Sequence, residues 1–255
     1  MFLDIKEVLK RIGPNDRVLD LGGWARVFPR ANVVVDLLPY ETRKIVYPEY
    51  PEHFTKKDWV VADFCSEEFW ATIPDKAFDF AIISHTLEDI RDPLYVCKQL
   101  CRTAKAGYIE APSRFRECAK ESANAEWSGY SHHRWIIDPN PEGTGLIFTP
   151  KLGWAHCCDY LGDKRRDLIR AFHFIFKGYF WKGSFNYIEH FPKGPIHEKR
   201  NLEFFYANYD YSKPAKVVYE LKPDSNDPRN GKCLWVNEYL LPVEMAERGM
   251  PYTLE

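Results

Sequence analysis

The stretch DRVLDLGGWARVFPRANVVVDLLPYE, residues 16–41, decides the fold of this chain. It contains two short apolar runs, residues 17–21 and 32–37, that are rich in leucine or β-branched residues and end at or beside an aspartate. Strands buried on both faces of a parallel sheet have this composition. Between the runs stand Gly22 and Gly23, and a sharp exit from a strand needs residues without an obstructing side chain. We therefore predict two parallel strands joined through a turn whose backbone can approach a ligand closely.

More apolar runs and helical patterns continue this alternation along the chain. The further apolar runs are residues 59–62, 78–83 and 107–111. Amphipathic helices are predicted at residues 2–12 and 66–73, and another begins at Asp92-Pro93, where a capping residue precedes a proline at the first helical position. Strand and crossover thus alternate five times. This pattern predicts an α/β fold with an open, mostly parallel, doubly wound sheet.

Sheets of this kind bind ligands outside the carboxyl ends of their strands. The residues predicted at those ends are Gly22, Gly23, Asp36, Asp63, Ser84, His85 and residues 110–113. Asp36 ends the second run, where nucleotide-binding α/β folds place an acidic side chain that accepts hydrogen bonds from ribose hydroxyls. The sequence therefore predicts a nucleotide-type ligand at this edge of the sheet.

The second half of the chain is richer in tryptophan and tyrosine. Strands are predicted at residues 146–149 and within 172–191, with antiparallel pairing. We assign residues 1–125 to a core domain, and residues 126–255 to the completion of the sheet, an aromatic-rich antiparallel extension or substrate cap, and a tail. The two parts form either separate domains or one continuous domain.

Composition limits the classes of function. The chain has 35 Lys and Arg against 37 Asp and Glu, so its charge gives no general attraction to nucleic acid or to an anionic membrane. No apolar run approaches the roughly 20 residues that a membrane span needs, and the charged N-terminus resembles no signal peptide. The seven cysteines form no C-x-x-C pair, which predicts reduced thiols in a cytoplasmic protein. The sequence predicts no particular oligomeric state.

Residues 16–113 resemble class I S-adenosylmethionine (SAM)-dependent methyltransferases of the small-molecule type, which have a Rossmann-like sheet. The segment VLDLGG is similar to the family's first motif, whose turn passes under the methionine part of the cofactor. FDFAIISHTLEDIRDP is similar to its fourth motif, at the cofactor's reactive end. The resemblance implies SAM as cofactor and these binding residues: Asp20, Gly22, Gly23, Trp24, Asp36, Leu37, Asp63, Phe64, Ser84 and His85.

The resemblance also assigns roles to single residues. Asp36 would hold the ribose hydroxyls, Asp63 would accept from the adenine amino group, and the backbone of Phe64 would address the adenine ring. Two later glycines of the family's first motif are replaced by Trp24 and Arg26, so Trp24 either lies over the cofactor or fills the edge of the sheet. NAD is not expected, because the G-x-G-x-x-G fingerprint is absent.

Three histidines are the candidate catalytic residues: His132, His133 and His85. Methyl transfer to a hydroxyl needs a base near the acceptor oxygen, and a histidine suits that task. If residues 130–137 are extended, His132 and His133 point to opposite faces, one to the pocket and one to solvent. Alternatively, one of them stacks among neighbouring aromatic residues. His85 either packs beside the first motif or belongs to the cofactor pocket.

Aromatic and basic residues near these histidines are the candidate substrate-binding residues: Trp127, Tyr130, Arg134 and Trp135. Aromatic faces stack on sugars and planar rings, although such residues also fill cores. Arg114, Arg116 and Arg134 could hold a carboxylate or phosphate of the substrate, although scattered arginines are mostly solvated. Glu88 and Asp89 are expected to face solvent or cap a helix. No metal is expected, because the spacing of Glu110, the two adjacent histidines and Asp138 matches no closed ligand pattern.

Taken together, these features predict a cytoplasmic enzyme that transfers a methyl group to a small molecule or sugar, at a hydroxyl oxygen. Its partners would be that substrate and SAM, and neither nucleic acid nor a membrane. N-methylation of a small amine is the nearest alternative, since a neutral amine needs no strong base. A non-catalytic SAM-binding or partner-binding protein is the alternative from another class.

Overall fold

The computed structural model describes residues 5–43, 49–120, 127–140, 143–157, 176–191, 221–223 and 234–236. The chain divides into two compact units. The first comprises Met1–Ala111 with Gly178–Phe185, and the second comprises Pro112–Lys177 with Asn186–Glu255. The domain boundary expected near residue 125 stays a prediction.

The helices are α1 (Ile5–Leu9), α2 (Glu67–Ala71), α3 (Pro93–Thr103), α4 (Arg114–Glu117) and α5 (Gly153–Cys157). The strands are β1 (Val18–Leu21), β2 (Val33–Asp36), β3 (Trp59–Val61), β4 (Phe78–Ser84), β5 (Ala104–Pro112), β6 (Trp135–Pro139), β7 (Gly145–Pro150), β8 (Phe176–Lys182), β9 (Asn186–Glu189), β10 (Leu221–Pro223) and β11 (Leu234–Val236). In the described part of the chain, no helix has the length and apolar composition that crossing a bilayer requires.

The first unit contains a six-stranded sheet in the order β3-β2-β1-β4-β5-β8. The pairs β1–β2, β1–β4, β2–β3 and β4–β5 are all parallel. These five strands coincide with the five predicted runs, and the α/β, doubly wound, mostly parallel fold is confirmed. The strand order reverses between β1 and β4, which is the switch point where ligands bind to such sheets.

Apolar packing holds α1 against the first unit's sheet. Val8 of α1 is fully buried in a cluster with Val18, Phe28 and Ile82. Helix α3 begins as predicted, because the Asp92 carboxylate accepts a hydrogen bond from the Tyr95 amide at 2.9 Å. The short connection from β1 to β2 contains no helix, in agreement with its length.

The second unit contains a three-stranded sheet in the order β6-β7-β9. Strands β6 and β7 pair antiparallel, as predicted for this extension, but β7 and β9 pair parallel. The sheet is therefore mixed, and the antiparallel prediction is wrong for the β7–β9 pair. A parallel pair needs a long crossover, and the connection from Pro150 to Asn186 is long enough to return the chain in the same direction. Strands β10 and β11 form an antiparallel pair, and the rest of the predicted tail lies outside the described residues.

The turn after β1 requires glycine for two reasons. Gly22 has a φ of +75°, and a Cβ atom built on it would lie 2.2 Å from Thr86 Oγ1. Its amide also donates to the Val35 carbonyl at 2.8 Å, which joins the turn to β2. By contrast, Gly183 has a φ of +76° but nothing within 4 Å of such a Cβ.

We expect Gly22→Ala to destabilise the protein more than Gly183→Ala. Both variants place alanine in the left-handed region, which costs about 1–2 kcal/mol. Only the Gly22 variant adds a clash, with roughly a further 2 kcal/mol of overpacking. Urea denaturation measures both free energies of unfolding, and equal losses in the two variants would contradict this account of the turn.

Candidate functional site

Asp20, in strand β1, holds the turn that follows this strand. Its buried Oδ2 accepts a hydrogen bond from the Phe28 amide at 2.7 Å. A Cβ atom on Gly23 would lie 2.7 Å from the same oxygen, so the chain passes directly over this carboxyl group. Burial raises the pKa of Asp20 from 3.8 to about 7, and the nearby Asp36 charge adds to this while the Phe28 hydrogen bond opposes it. The contacts of Asp20 therefore serve to fix the turn.

Asp36 joins the two loops that follow β1 and β2. Its Oδ2 accepts from the Trp24 amide at 3.0 Å, and its Oδ1 accepts from the Leu38 amide at 2.9 Å. Burial raises the pKa of Asp36, although these backbone hydrogen bonds oppose the change. A carboxylate offers about four lone-pair sites, so Asp36 keeps the capacity to accept from ligand hydroxyls.

Trp24 and Leu37 flank Asp36 in different environments. The Trp24 ring packs against the apolar cluster that contains Val34 and Trp59, and its indole N–H donates to Thr42 Oγ1 at 2.9 Å. This placement favours the alternative in which Trp24 fills the edge of the sheet. Leu37 is 63% exposed.

Asp63 and Phe64 follow the edge strand β3. Asp63 Oδ1 accepts from the Cys65 amide at 2.8 Å, and its Oδ2 lies 2.5 Å from Arg91 Nη1. Partial burial raises the pKa of Asp63, but the hydrogen bonds from Arg91 and Cys65 lower it overall. The Phe64 carbonyl accepts from the Trp70 indole at 2.7 Å. An adenine amino group at Asp63 would therefore share that carboxylate with Arg91.

His85 follows β4 with a φ of +53°, a conformation that a residue with a side chain seldom adopts. Its amide donates to the Glu110 carbonyl at 2.8 Å. Its Nε2 lies 2.9 Å from Glu110 Oε1, and its Nδ1 lies 3.4 Å from Glu88 Oε1. Burial lowers the pKa of His85, but Glu110 and Glu88 more than offset this and raise it overall. A strained backbone that positions an ionisable side chain is a common feature of functional sites.

Two acidic residues of this cluster were missed as site residues. Glu88 was expected to face solvent or cap a helix, but it is buried, so that expectation is wrong. Glu110 is also buried; it was predicted at the ligand-binding edge of the sheet and weighed as a metal ligand, but it was given no role in the site. Tyr108 donates to Glu110 Oε2 at 2.5 Å, and Ser84 Oγ lies 3.4 Å from its Oε1. A charged residue inside the apolar run 107–111 was the signal that could have identified Glu110.

In the second unit, His133 belongs to a buried ionic network. Its Nδ1 lies 2.7 Å from Glu117 Oε1, and Lys151 Nζ lies 2.7 Å from Glu117 Oε2. Lys151 also donates to the carbonyls of Ser128 and Tyr130, at 2.9 and 3.0 Å. Burial raises the pKa of Glu117, but His133 and Lys151 lower it overall. This network fixes the backbone of the segment that carries the candidate substrate residues.

His132 and His133 lie in a different local structure from the one predicted. Strand β6 begins at Trp135, and residues 131–132 form a turn, so the condition of an extended segment over residues 130–137 is not met. The two rings lie 4.6 Å apart between centroids. His132 is exposed and His133 is buried, so the expected difference in exposure between them is present.

The candidate substrate residues are partly exposed. Trp127 is 38% exposed and Arg134 is also exposed. The Tyr130 hydroxyl accepts from Arg116 Nη2 at 3.0 Å, and Trp135 makes an edge contact with Phe148. These contacts leave the substrate-binding assignment a prediction.

Arg114 differs from the expectation of a solvated arginine. It is buried, and its Nη2 donates to Asp138 Oδ2 at 2.7 Å and to Thr149 Oγ1 at 3.0 Å. An arginine without a nearby partner would not be buried, because an unpaired charge loses its hydration. The expectation that no metal is bound stays a prediction.

The structure thus separates the predicted residues into two groups. All the candidate cofactor residues, including His85, belong to the first unit. His132, His133 and the four candidate substrate residues belong to the second.

No protein-family model matches the chain, and a search of curated proteins finds no similar sequence. Among solved structures, a SAM-dependent methyltransferase from Archaeoglobus fulgidus is similar at 20% identity, covering 43% of this chain and 50% of that one, with a TM-score of 0.32. One from Aquifex aeolicus is 22% identical over 44% of this chain and 65% of that one, with a TM-score of 0.28. One from Mesorhizobium loti is 16% identical over 69% of this chain and 71% of that one, with a TM-score of 0.35.

The chain thus spans 50% of the Archaeoglobus protein and 65% of the Aquifex protein.

We expect Asp20→Asn to change how stability depends on pH. Because the pKa of Asp20 is raised in the folded state, its contribution to stability is full below pH 3.8 and is lost as pH rises through about 7. Asparagine keeps an oxygen for the Phe28 amide but cannot ionise. Between about pH 4 and pH 8, the variant should therefore gain up to about 4 kcal/mol relative to wild type.

Urea denaturation across this pH range measures the change. Asp16→Asn is the matched control, since the Asp16 carboxylate also accepts a backbone amide hydrogen bond, from Gly13 at 2.7 Å. A difference between Asp20→Asn and wild type that stays constant with pH would contradict the effect of burial on Asp20.

Proposed function

We propose that this chain is a class I SAM-dependent methyltransferase that acts on a hydroxyl oxygen of a small molecule or sugar. The observation that carries the proposal is the meeting of the Gly22 turn, Asp36 and the segment after β4 at the switch point of a parallel sheet. Thr86 Oγ1 lies 3.4 Å from the Gly22 carbonyl, so the two motif segments are in contact. A nucleotide-type ligand at this switch point would be in reach of both segments.

The residues present fit a nucleoside cofactor. A Cβ atom at Gly22 would meet Thr86, and one at Gly23 would meet Asp20, within 3 Å, so only glycine lets the turn pack this closely between β1 and the segment after β4. Asp36 is buried yet has lone pairs in reserve for ribose hydroxyls, and the more exposed Asp63 is available for an amino group. When bound, SAM supplies a methyl group on a positively charged sulfur. The protein's own task is to align the acceptor, exclude water and take the acceptor's proton.

His132 and His133 are the candidates for the proton acceptor. Glu117 lies 2.7 Å from His133 Nδ1, and a carboxylate that accepts the Nδ1 proton leaves Nε2 of a neutral ring as the basic atom. His132 is exposed and so is open to a substrate. Trp127, Tyr130, Arg134 and Trp135 would bind the acceptor molecule. If the acceptor were a neutral amine, neither histidine would be required.

A second candidate function, binding of a protein partner, is favoured by one observation. Four large apolar residues near the β3 edge of the sheet are exposed: Leu37 at 63%, Leu38 at 40%, Val60 at 39% and Val61 at 58%. Exposed apolar surface of this kind often marks an interaction site. Such a partner is compatible with catalysis, so this candidate does not exclude the first.

We expect SAM to bind the purified protein and Asp36→Asn to weaken that binding by roughly tenfold, because a charged acceptor of hydroxyl hydrogen bonds is lost. Calorimetric titration with SAM, and separately with NAD, measures this. Asp16→Asn is the control for removing a loop carboxylate, and it should leave SAM affinity unchanged. If SAM fails to bind, or if NAD binds in its place, the cofactor assignment is wrong.

We expect His132→Gln to leave SAM affinity unchanged and to lower turnover by 100-fold or more, the usual order of a general base. His133→Gln should also lower the free energy of unfolding, because it removes a partner of the buried Glu117. Single-turnover assays with hydroxyl and amine acceptors, together with urea denaturation, separate these effects. Full turnover in both single variants and in the double variant would exclude the histidines as bases and favour an amine acceptor.

A further inference from the structure

Three side chains of the first unit form a compact ionic cluster, which we call the carboxylate–imidazole triad: Glu88, His85 and Glu110. The imidazole stands between the two carboxylates, with Nδ1 3.4 Å from Glu88 and Nε2 2.9 Å from Glu110. Both glutamates are only 1% exposed, whereas the His85 side chain is 23% exposed. The positive φ of His85 directs the chain so that the ring occupies this position.

The two carboxylates differ in the hydrogen bonds and ion pairs that offset the cost of burying them. Glu110 accepts from the Tyr108 hydroxyl at 2.5 Å in addition to its contact with His85. Glu88 accepts no hydrogen bond from any residue that the structure describes, and its recorded ion pair is with His85. A buried carboxylate needs a nearby positive charge, because burial removes its hydration. A His85 ring with protons on both nitrogens, one toward each carboxylate, would supply that charge.

This protonation state fixes the charge of the triad. With His85 in that form, the three side chains of the triad carry two negative charges and one positive charge among themselves. Thr86, which follows His85, touches the turn at Gly22, so the triad adjoins the proposed cofactor site. Charges in a partly desolvated site interact over several ångströms.

We propose that the carboxylate–imidazole triad is an anionic counter-charge for the sulfonium group of the methyl donor, and that Glu88 sets the preference for that donor over its neutral demethylated product. This inference rests on the proposed function. The donor's sulfur is positively charged before transfer and neutral after it, so the attraction to the triad ends once the methyl group has left. The triad thereby favours donor binding and product release. His85, with both nitrogens directed at carboxylates, is a positioning residue here and not the proton acceptor.

The test compares the affinities of SAM and S-adenosylhomocysteine by calorimetric titration of wild type and Glu88→Gln. Glutamine keeps the size of the side chain and removes the negative charge. We expect the variant to lose affinity for SAM on the order of tenfold while its affinity for S-adenosylhomocysteine changes little. Glu67→Gln, on the exposed first turn of α2, is the matched control and should change neither affinity.

A variant that failed to fold would bind both ligands more weakly. The ratio of the two affinities therefore distinguishes the loss of a charge from the loss of structure. Equal losses for both ligands, or an unchanged ratio, overturn the preference assigned to Glu88. If wild type binds neither ligand, the proposed function fails and the ligand preference fails with it.

The protonation state of His85 is tested without any ligand. In ¹⁵N-labelled protein, the ring nitrogens of His85 should both be protonated at neutral pH, and Glu88→Gln should lower the pH at which the ring titrates. His85→Asn identifies the signals, since asparagine tolerates the left-handed backbone. A neutral His85 ring at neutral pH, or a titration that Glu88→Gln leaves unmoved, overturns the charge assigned to the triad even where SAM binds.

Discussion

The hydrogen bond from the Phe28 amide to the buried carboxyl of Asp20 is the interaction on which the first unit's site depends. The chain between β1 and β2 contains no helix, so a side chain within β1 has to hold this short crossover in place. With the crossover fixed, β2 pairs beside β1 and brings Asp36 to the same edge of the sheet. Asp36 then secures the two neighbouring loops through the amides of Trp24 and Leu38. Two carboxyl groups thus replace the helix that usually fills such a connection.

In the second unit, a buried ion pair with complete hydrogen bonding holds the backbone in place. Lys151 has three hydrogen-bond donors and finds three acceptors, in Glu117 and the carbonyls of Ser128 and Tyr130. A buried ammonium is tolerated only where its partners are complete. The same contacts hold the segment before β6, where the exposed His132 lies beside the buried His133. Rigid support under an exposed polar segment is the arrangement expected of a recognition surface.

Sequence patterns predicted the parallel sheet well, because strands buried on both faces leave continuous apolar runs such as residues 78–83. The Asp92 cap was equally visible, since capping depends on neighbours in sequence. The parallel pairing of β9 was missed because direction depends on the whole connection and not on the strand itself. The burial of Glu88 and Arg114 was missed for a similar reason. Asp138 became recognisable as the partner of Arg114 only in three dimensions, as did Glu110 beside His85.

The contact between Gly22 and Thr86 joins positions 64 residues apart. A Cβ atom at position 22 would overlap the Thr86 side chain, and a larger residue at position 86 would press on the turn. Substitutions at the two positions are therefore not independent, and each restricts what the other can become during evolution. Diverging relatives would have to change the pair together, so covariation between these positions would record the packing of the two motifs where overall identity has faded.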